Sequence, residues 1–378
     1  MGRIIARVAD YLRECDKILL ILCVGASCYG SIAVLSATRN SQGASQFLTQ
    51  IVAMLIGLSI AVFISLFDYR RFARFWPLIA AGSLIPVILT FFIGYAPGNT
   101  DDKAWLFIGG VSFQPSELLK IAFVITFALH LSSVGGEINR FKNVLLLCLH
   151  AAVPIGLIFY QGDFGTALIF CVMFLGMMFA AGLKWIYWLI ASLTAAIAAP
   201  LAYFFVLNDD HRERILLMFD IDADLLGAGW QQWRGRIALA NGGFFGQGLF
   251  RGSLTQIKDG VPEGHNDFIF VCIGEELGML GCLAVVILLL AICLRIMRVA
   301  QTTSDGFGKF ICIGIFSMLA GQIIINIGMC VSVLPVIGVT LPFFSAGGTS
   351  LMCTFISIGV VLNVYMHKSS LKLHLHDN

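Results

Sequence analysis

Apolar residues recur along this chain in runs of about 20, separated by short polar connectors. That is the length a helix needs to cross a bilayer, and it matches neither strand alternation nor an amphipathic surface helix. Ten spans are predicted, near residues 18–36, 50–66, 76–94, 117–133, 144–160, 166–181, 185–206, 268–294, 310–334 and 349–366. The first run is too long for a signal-peptide core and no A-x-A pattern follows it, so it reads as a retained span. One connector, residues 207–267, is far longer than the rest. It opens with a charged run from Asp209 to Arg214. Its middle, Ile237 to Leu249, is apolar and glycine-rich, suited to lie in the membrane interface or to pack on the bundle.

Composition agrees with this pattern. Of 378 residues, 58% are hydrophobic and 12% charged, against about 25% charged in soluble domains, and mean hydropathy is +0.90. The net charge of +2 points to no particular partner, nucleic acid included. The 11 cysteines lie, Cys15 excepted, within or at the ends of apolar segments, and the long connector has none. They read as small apolar packing residues; no spacing suggests a disulfide framework or zinc.

The distribution of charge sets an orientation. Alternate connectors and both termini carry 15 basic residues, whereas the short connectors of the other side carry two, Arg39 and Lys103. The positive-inside rule then places both termini in the cytoplasm and the long connector outside. Trp76, Trp105, Trp185 and Trp188 fall near span ends, as interfacial anchors do. The expected fold is an all-α integral membrane protein: a single polytopic membrane domain over residues 1–378, with about ten transmembrane helices and one large extracytoplasmic loop.

Charges at membrane depth cost about 2.5–3.5 kcal/mol or more, so each calls for a reason. Glu117 and Lys120, three apart in the first turn of span four, share a helix face and can pair. Pro115, beside Gln114, marks the start of that helix. The pair either anchors the helix start or lines an outward polar cavity, with Lys120 facing an anionic ligand. In the turn Gln161 to Thr166, Asp163 or Thr166 caps span six or lines the same cavity. The run Pro262 to Asp267, which includes His265, leads straight into span eight. The helix dipole there keeps Asp267 ionised, which suits either an N-cap or a general base. Glu275 and Glu276 lie about 12–14 Å further along the axis and are expected to pair with buried groups of neighbouring helices. The stretch Leu341 to Ser350 carries Ser345, Gly347, Gly348 and Ser350. Its diglycine exposes backbone N–H groups suited to phosphate, or packs closely between helices; the two are compatible.

Taken together these segments resemble the SEDS family of bacterial shape, elongation, division and sporulation proteins, typified by RodA and FtsW. The resemblance rests on Phe113 to Glu117 with Lys120; Gln161, Asp163, Gly165 and Thr166; Pro262 to Phe270 with Gly274 to Gly278; Asn326 to Met329 with Leu334 and Pro335; and Leu341 to Ser350. They occur in family order and cover nearly the whole chain. Asn266 stands where the family often has threonine, Ala346 where it has tyrosine and Gly162 where it has proline. Gly229-Trp230-Gln231 is similar to a Gly-Tyr-Gln motif, while Arg234-Gly235 replaces a Gln-Ser pair. Ser36 to Thr38 and Asn326 to Met329 look more like the elongation (RodA) branch than the division branch.

The resemblance implies an inverting peptidoglycan glycosyltransferase in the bacterial cytoplasmic membrane. It would polymerise lipid II at the outer face, release undecaprenyl pyrophosphate, and work with a class B penicillin-binding protein as transpeptidase. The family's essential aspartate maps onto Asp267, as general base. Lys120, Arg212, Arg214 and the Ser345–Ser350 turn become candidates to bind the diphosphate; Arg214 matches a family Arg-Ile pair and Arg212 rests on position alone. A divalent cation could serve the diphosphate, yet no ligand cluster in the sequence demands one. Two rival functions remain at this level. A lipid II flippase or other transporter would show ionisable residues near the midplane and broken helices. A non-enzymatic scaffold for the transpeptidase would leave the Asp267 and Glu117/Lys120 sites without a purpose.

Overall fold

The computed structural model describes residues 14–40, 45–96, 103–205, 212–213, 216–217 and 229–367. The helices are α1 (Lys17–Thr38), α2 (Ser45–Ser65), a short α3 (Arg70–Arg74), α4 (Trp76–Ile93), α5 (Pro115–Val134), α6 (Phe141–Tyr160), α7 (Phe164–Ala180), α8 (Trp185–Phe205), α9 (Trp230–Gly242), α10 (Ile269–Thr302), α11 (Gly306–Cys330) and α12 (Gly348–His367). A small antiparallel hairpin, β1 (Leu106–Ile108) and β2 (Val111–Phe113), precedes α5. Among the described residues nine helices are long and apolar enough to cross a membrane, and the 17-residue α7 is a shorter apolar helix. Together they fall on the ten predicted spans, and the chain is a multi-pass membrane protein.

Boundaries depart from the apolar runs where polar groups find partners. The predicted eighth span ends at 294, but α10 continues to Thr302 because Arg295 donates to Asp16 at 2.6 Å, and Asp16 caps α1 through the Leu19 N–H. α11 stops at Cys330, short of the expected 334, where Ser332 turns to φ 59° ahead of Pro335. At the opposite end of α11 Asp305 caps the helix through Gly308 and bonds the buried Tyr69 hydroxyl. Asn363 of α12 donates to the Ile64 carbonyl and accepts from the Tyr69 N–H, fixing the exit of α2.

The core is formed mainly by α5, α11 and α12, most of whose residues are buried. α8 lies at the periphery, with no buried residue. α2 and α12 cross closely, with Gly57 against Met352 and Phe355 and Gly359 against Ala61. Such small-residue contacts are how membrane helices associate without a hydrophobic driving force.

α10 is the least regular element. Its 34 residues would span about 51 Å, more than the ~30 Å hydrocarbon core, but Gly278 (φ 67°, ψ −164°) divides it. At the break the Met279 and Leu280 N–H groups lose their helical acceptors and donate instead to the Gly243 and Phe244 carbonyls, at 2.9 and 3.3 Å. The Glu275 and Glu276 carbonyls accept from Gln247 and Gly248, at 3.0 and 2.9 Å. Part of the long connector's glycine-rich middle thus replaces one missing turn of helix. Of the two placements open to that stretch, packing on the bundle is the one observed: α9 lies on α10, with Gly235 against the Phe268 ring. Phe244 and Phe245 remain exposed.

Gly278 occupies backbone space almost closed to residues with a Cβ, and a Cβ there would collide with Gly246 and Phe244. Gly278→Ala is expected to destabilise the folded chain by about 1–3 kcal/mol, read as a lower thermal midpoint in detergent. An unchanged midpoint would contradict this account of the break.

Candidate functional site

Two groups of polar side chains sit at the bundle end that carries the long connector. The first lies between the N-terminal turns of α5 and α7. Pro115 starts α5, placing Glu117 and Lys120 on one face, where Lys120 Nζ donates to Glu117 Oε1 at 2.8 Å. Both side chains are almost fully buried, 2% and 8% exposed, so neither charge is screened by water. Asp163 caps α7, accepting from the Thr166 N–H at 2.9 Å, and takes a second bond from Gln114 Nε2 at 3.0 Å. Burial pushes the Asp163 carboxyl up, opposed by the Thr166 bonds and by Lys120. Gln161 ties the same turn to α4 through Thr90 and the Val87 carbonyl. Ser116 Oγ and Gln161 Oε1 are buried without a hydrogen-bond partner, so the cluster keeps unused capacity beside its charges.

The second group surrounds Asp267. The α10 N-cap is Phe268, so Asp267 stands one residue ahead of the cap. Its turn folds on itself through Phe268 and Asn266 N–H bonds to the Glu263 carbonyl. Asn326 Nδ2 of α11 donates to the Asp267 carbonyl at 2.8 Å, and the Cys330 thiol adds a bond at 3.4 Å. The Ser345 hydroxyl donates to the Asn266 carbonyl at 2.8 Å, and the Ala346 N–H to the His265 carbonyl at 2.8 Å. His265 is half-buried, and burial pushes its imidazole pKa down, opposed by the Glu263 carboxylate. With Asn40, Lys258, Asp259 and Glu263 it lines a polar cavity of about 160 Å³ beside the turn.

The non-helical connector from α11 to α12 joins the two groups. Gly165 of α7 packs so close to the Ile337 carbonyl that a Cβ would collide with it. On the next residue, a Cβ at Gly338 would lie 3.6 Å from Asp267 Oδ2. The same connector takes bonds from Gln50 of α2 to the Ser345 carbonyl and from Gln232 of α9 to the Leu334 carbonyl, each at 3.0 Å. Thr340 and Ser350 share a hydroxyl contact at 3.0 Å, and Thr349 donates to the Ser112 carbonyl next to β2's end. Gly347 and Gly348 are half-buried at the start of α12. Ser345 is committed to structure, since its oxygen also accepts the Leu341 N–H at 2.7 Å.

Other predicted residues lie elsewhere. Arg212 donates to the Tyr203 and Phe204 carbonyls, at 2.8 and 2.9 Å, at the end of the peripheral α8. Arg214 lies outside the described residues. Glu275 accepts from Ser253, Leu254 and Thr255, and Glu276 from Ser36, Gln256 and Gly252. These buried carboxylates therefore hold the long connector against α1 and α10. Among the described residues no group of three His, Cys, Asp or Glu is placed to hold a metal ion. Asn326, Gln50 and Gln232 were not singled out from sequence as site residues, although a fully buried amide within an apolar helix is itself a signal, because it must find partners.

Lys120→Met is expected to destabilise the chain by about 3–5 kcal/mol by leaving Glu117 buried without its partner. The double variant Glu117→Gln/Lys120→Met should recover most of that loss. Thermal midpoints in detergent check both; a single variant as stable as wild type would contradict the pairing.

Comparison with known proteins assigns the family. Residues 14–370 match the FtsW/RodA/SpoVE family, described as cell cycle proteins. The chain is 32% identical over 361 residues to a probable peptidoglycan glycosyltransferase FtsW of Geobacter metallireducens, covering 92% of this chain and 94% of that one. It is 29% identical over 362 residues to the peptidoglycan glycosyltransferase MrdB of Escherichia coli K12, covering 94% and 95%. Among solved structures it superposes on a chain of a peptidoglycan synthase complex that coordinates polymerization and crosslinking, with TM-score 0.80, 26% identity and coverage of 94% and 99%. It shares the fold of the rod shape determining protein RodA of Thermus thermophilus, with TM-score 0.69 over 94% of this chain and 97% of that one. With ten matching helices, the two polar groups and a family match over nearly its whole length, the chain belongs to the FtsW/RodA/SpoVE (SEDS) family.

Proposed function

We propose that this protein is a peptidoglycan glycosyltransferase that polymerises lipid II at the outer face of the cytoplasmic membrane, with Asp267 as general base. The observation that carries the reading is the placement of Asp267: a carboxylate one residue before a helix N-cap, its backbone held by α11 and its turn by the α11–α12 connector. In this reading Asp267 takes the proton of the acceptor sugar's 4-hydroxyl as that oxygen attacks the donor's anomeric carbon. The bond from that carbon to the pyrophosphate oxygen breaks, undecaprenyl pyrophosphate leaves, and the α-linked donor becomes a β-linked glycan.

The leaving diphosphate needs cations or backbone donors where its charge develops. Lys120 gives one of its three donors to Glu117 and is the first candidate. Gly347, Gly348 and Ser350 open α12, whose first N–H groups lack helical acceptors, and they are the second. Gln114, Asp163 and Thr166 are bonded together near Lys120, His265 lines the cavity beside the Asp267 turn, and Arg214 joins them by family resemblance. Arg212 is the weakest member, since its guanidinium is turned to the end of α8. The 15 basic residues against two support a reading with this end outside and both termini in the cytoplasm. Likeness to a chain of a peptidoglycan synthase complex supports a transpeptidase partner, which the family resemblance makes a class B penicillin-binding protein. The role is in cell shape and elongation or in division; identity is similar to relatives of both branches.

The flippase reading draws some support from broken α10, a transporter mark. Against it, the gap at Gly278 is filled by the connector's own backbone, and the charged pair sits in the first two turns of α5.

Purified Asp267→Ala, with its partner and lipid II in detergent, is expected to lose polymerisation by roughly 10²–10⁴-fold, while wild type makes glycan strands. Normal polymerisation by the variant would sink the mechanism.

A further inference from the structure

We infer that Asn326 is a positioning residue for the reaction, holding the Asp267 peptide and the Gly338–Val339 wall in fixed register; this rests on the reading of Asp267 as general base. Asn326 is fully buried within the apolar α11. Its side-chain amide has two protons, and both go to the borders of one small space. One is donated to the Asp267 carbonyl at 2.8 Å, the other to the Val339 carbonyl at 2.7 Å. Between those two peptides lies Gly338, in the left-handed region at φ 69°. Its missing side chain leaves the backbone facing the carboxylate, since a Cβ there would stand 3.6 Å from Asp267 Oδ2.

A single planar amide therefore sets the spacing between the carboxylate-bearing residue and the wall it faces. The other ties between connector and turn act one and two residues earlier, at the Asn266 and His265 carbonyls. They hold the turn to the connector without fixing Asp267 itself. The Cys330 thiol reaches the same Asp267 carbonyl, at 3.4 Å, but a thiol is a weak donor and it does not reach the wall. Removing the amide takes away the link between the Asp267 carbonyl and the Val339 carbonyl, while the turn stays attached at Asn266 and His265. Misplacement of a reacting group by about 1 Å costs up to about 10²-fold in rate.

Asn326→Leu keeps the number and branching of the side-chain heavy atoms and removes both donors. Asn326→Ser keeps one hydroxyl proton, enough for one carbonyl only. Each is purified as the full chain with its transpeptidase partner and assayed on lipid II, with Asp267→Asn run in parallel. For folded Asn326→Leu, kcat is expected to fall roughly ten- to hundred-fold while KM stays within about two-fold, and Asn326→Ser should fall between it and wild type. Folded variants with wild-type kcat, a rise in KM at constant kcat, or failure of both variants to fold would each overturn the inference, the last by making the residue purely structural. An active Asp267→Asn would instead overturn the general-base reading. An inactive Asp267→Asn beside fully active, folded Asn326 variants would overturn only the role of Asn326.

Discussion

In hydrocarbon, a backbone N–H or C=O without a partner costs several kcal/mol, because no water is there to replace it. Helices meet this constraint internally, and the long apolar segments of this chain do so. Two stretches at one end of the bundle cannot: the interruption of α10 at Gly278 and the connector between α11 and α12. The first is closed by four backbone bonds exchanged with the 243–248 segment. The second is closed by its own backbone turns and by side-chain amides from three helices, Gln50, Gln232 and Asn326, each donating to a connector carbonyl. The proposed chemistry lies on what these bonds hold in place.

The same repair places the polar groups. Asp267 closes the turn that Asn326 and Ser345 anchor, so its position is set by α11 and by the connector as well as by its own helix. The connector's opposite side packs on Gly165, beside the Asp163 cap and the Glu117–Lys120 pair. A half-buried carboxylate with a proposed base role and a buried ammonium thus flank one thin wall of backbone. Glu275 and Glu276 add no chemistry in this arrangement. Four-fold and three-fold acceptance of hydroxyl, amide and backbone donors makes them clamps for the long connector.

Much of this was legible in the residues. Apolar run length located the ten helices, and Pro115 and Asp163 marked helix starts that the structure has in place. The spacing of Glu117 and Lys120 announced their pairing. What stayed hidden depended on contacts distant in sequence. Nothing local says that Gly243 to Gly248 completes α10, because the partner lies about 30 residues further on and the signal is only a glycine excess on both sides. Nor does spacing reveal that Asn326 reaches both Asp267 and Val339, since its two carbonyl partners lie on different non-helical segments. The end of α10 was misjudged because Arg295 reads as a stop in hydropathy, yet it is helical and paired with Asp16.

The central claim is geometric: an acceptor hydroxyl must meet the Asp267 carboxylate. A structure of the full chain with its partner and bound lipid II, determined in lipid, tests it most directly. The account predicts the acceptor sugar's 4-hydroxyl oxygen at about 2.6–3.2 Å from an Asp267 carboxylate oxygen, on the side bordered by Gly338. An acceptor bound with that hydroxyl out of reach of Asp267, both directly and through one water, would contradict it.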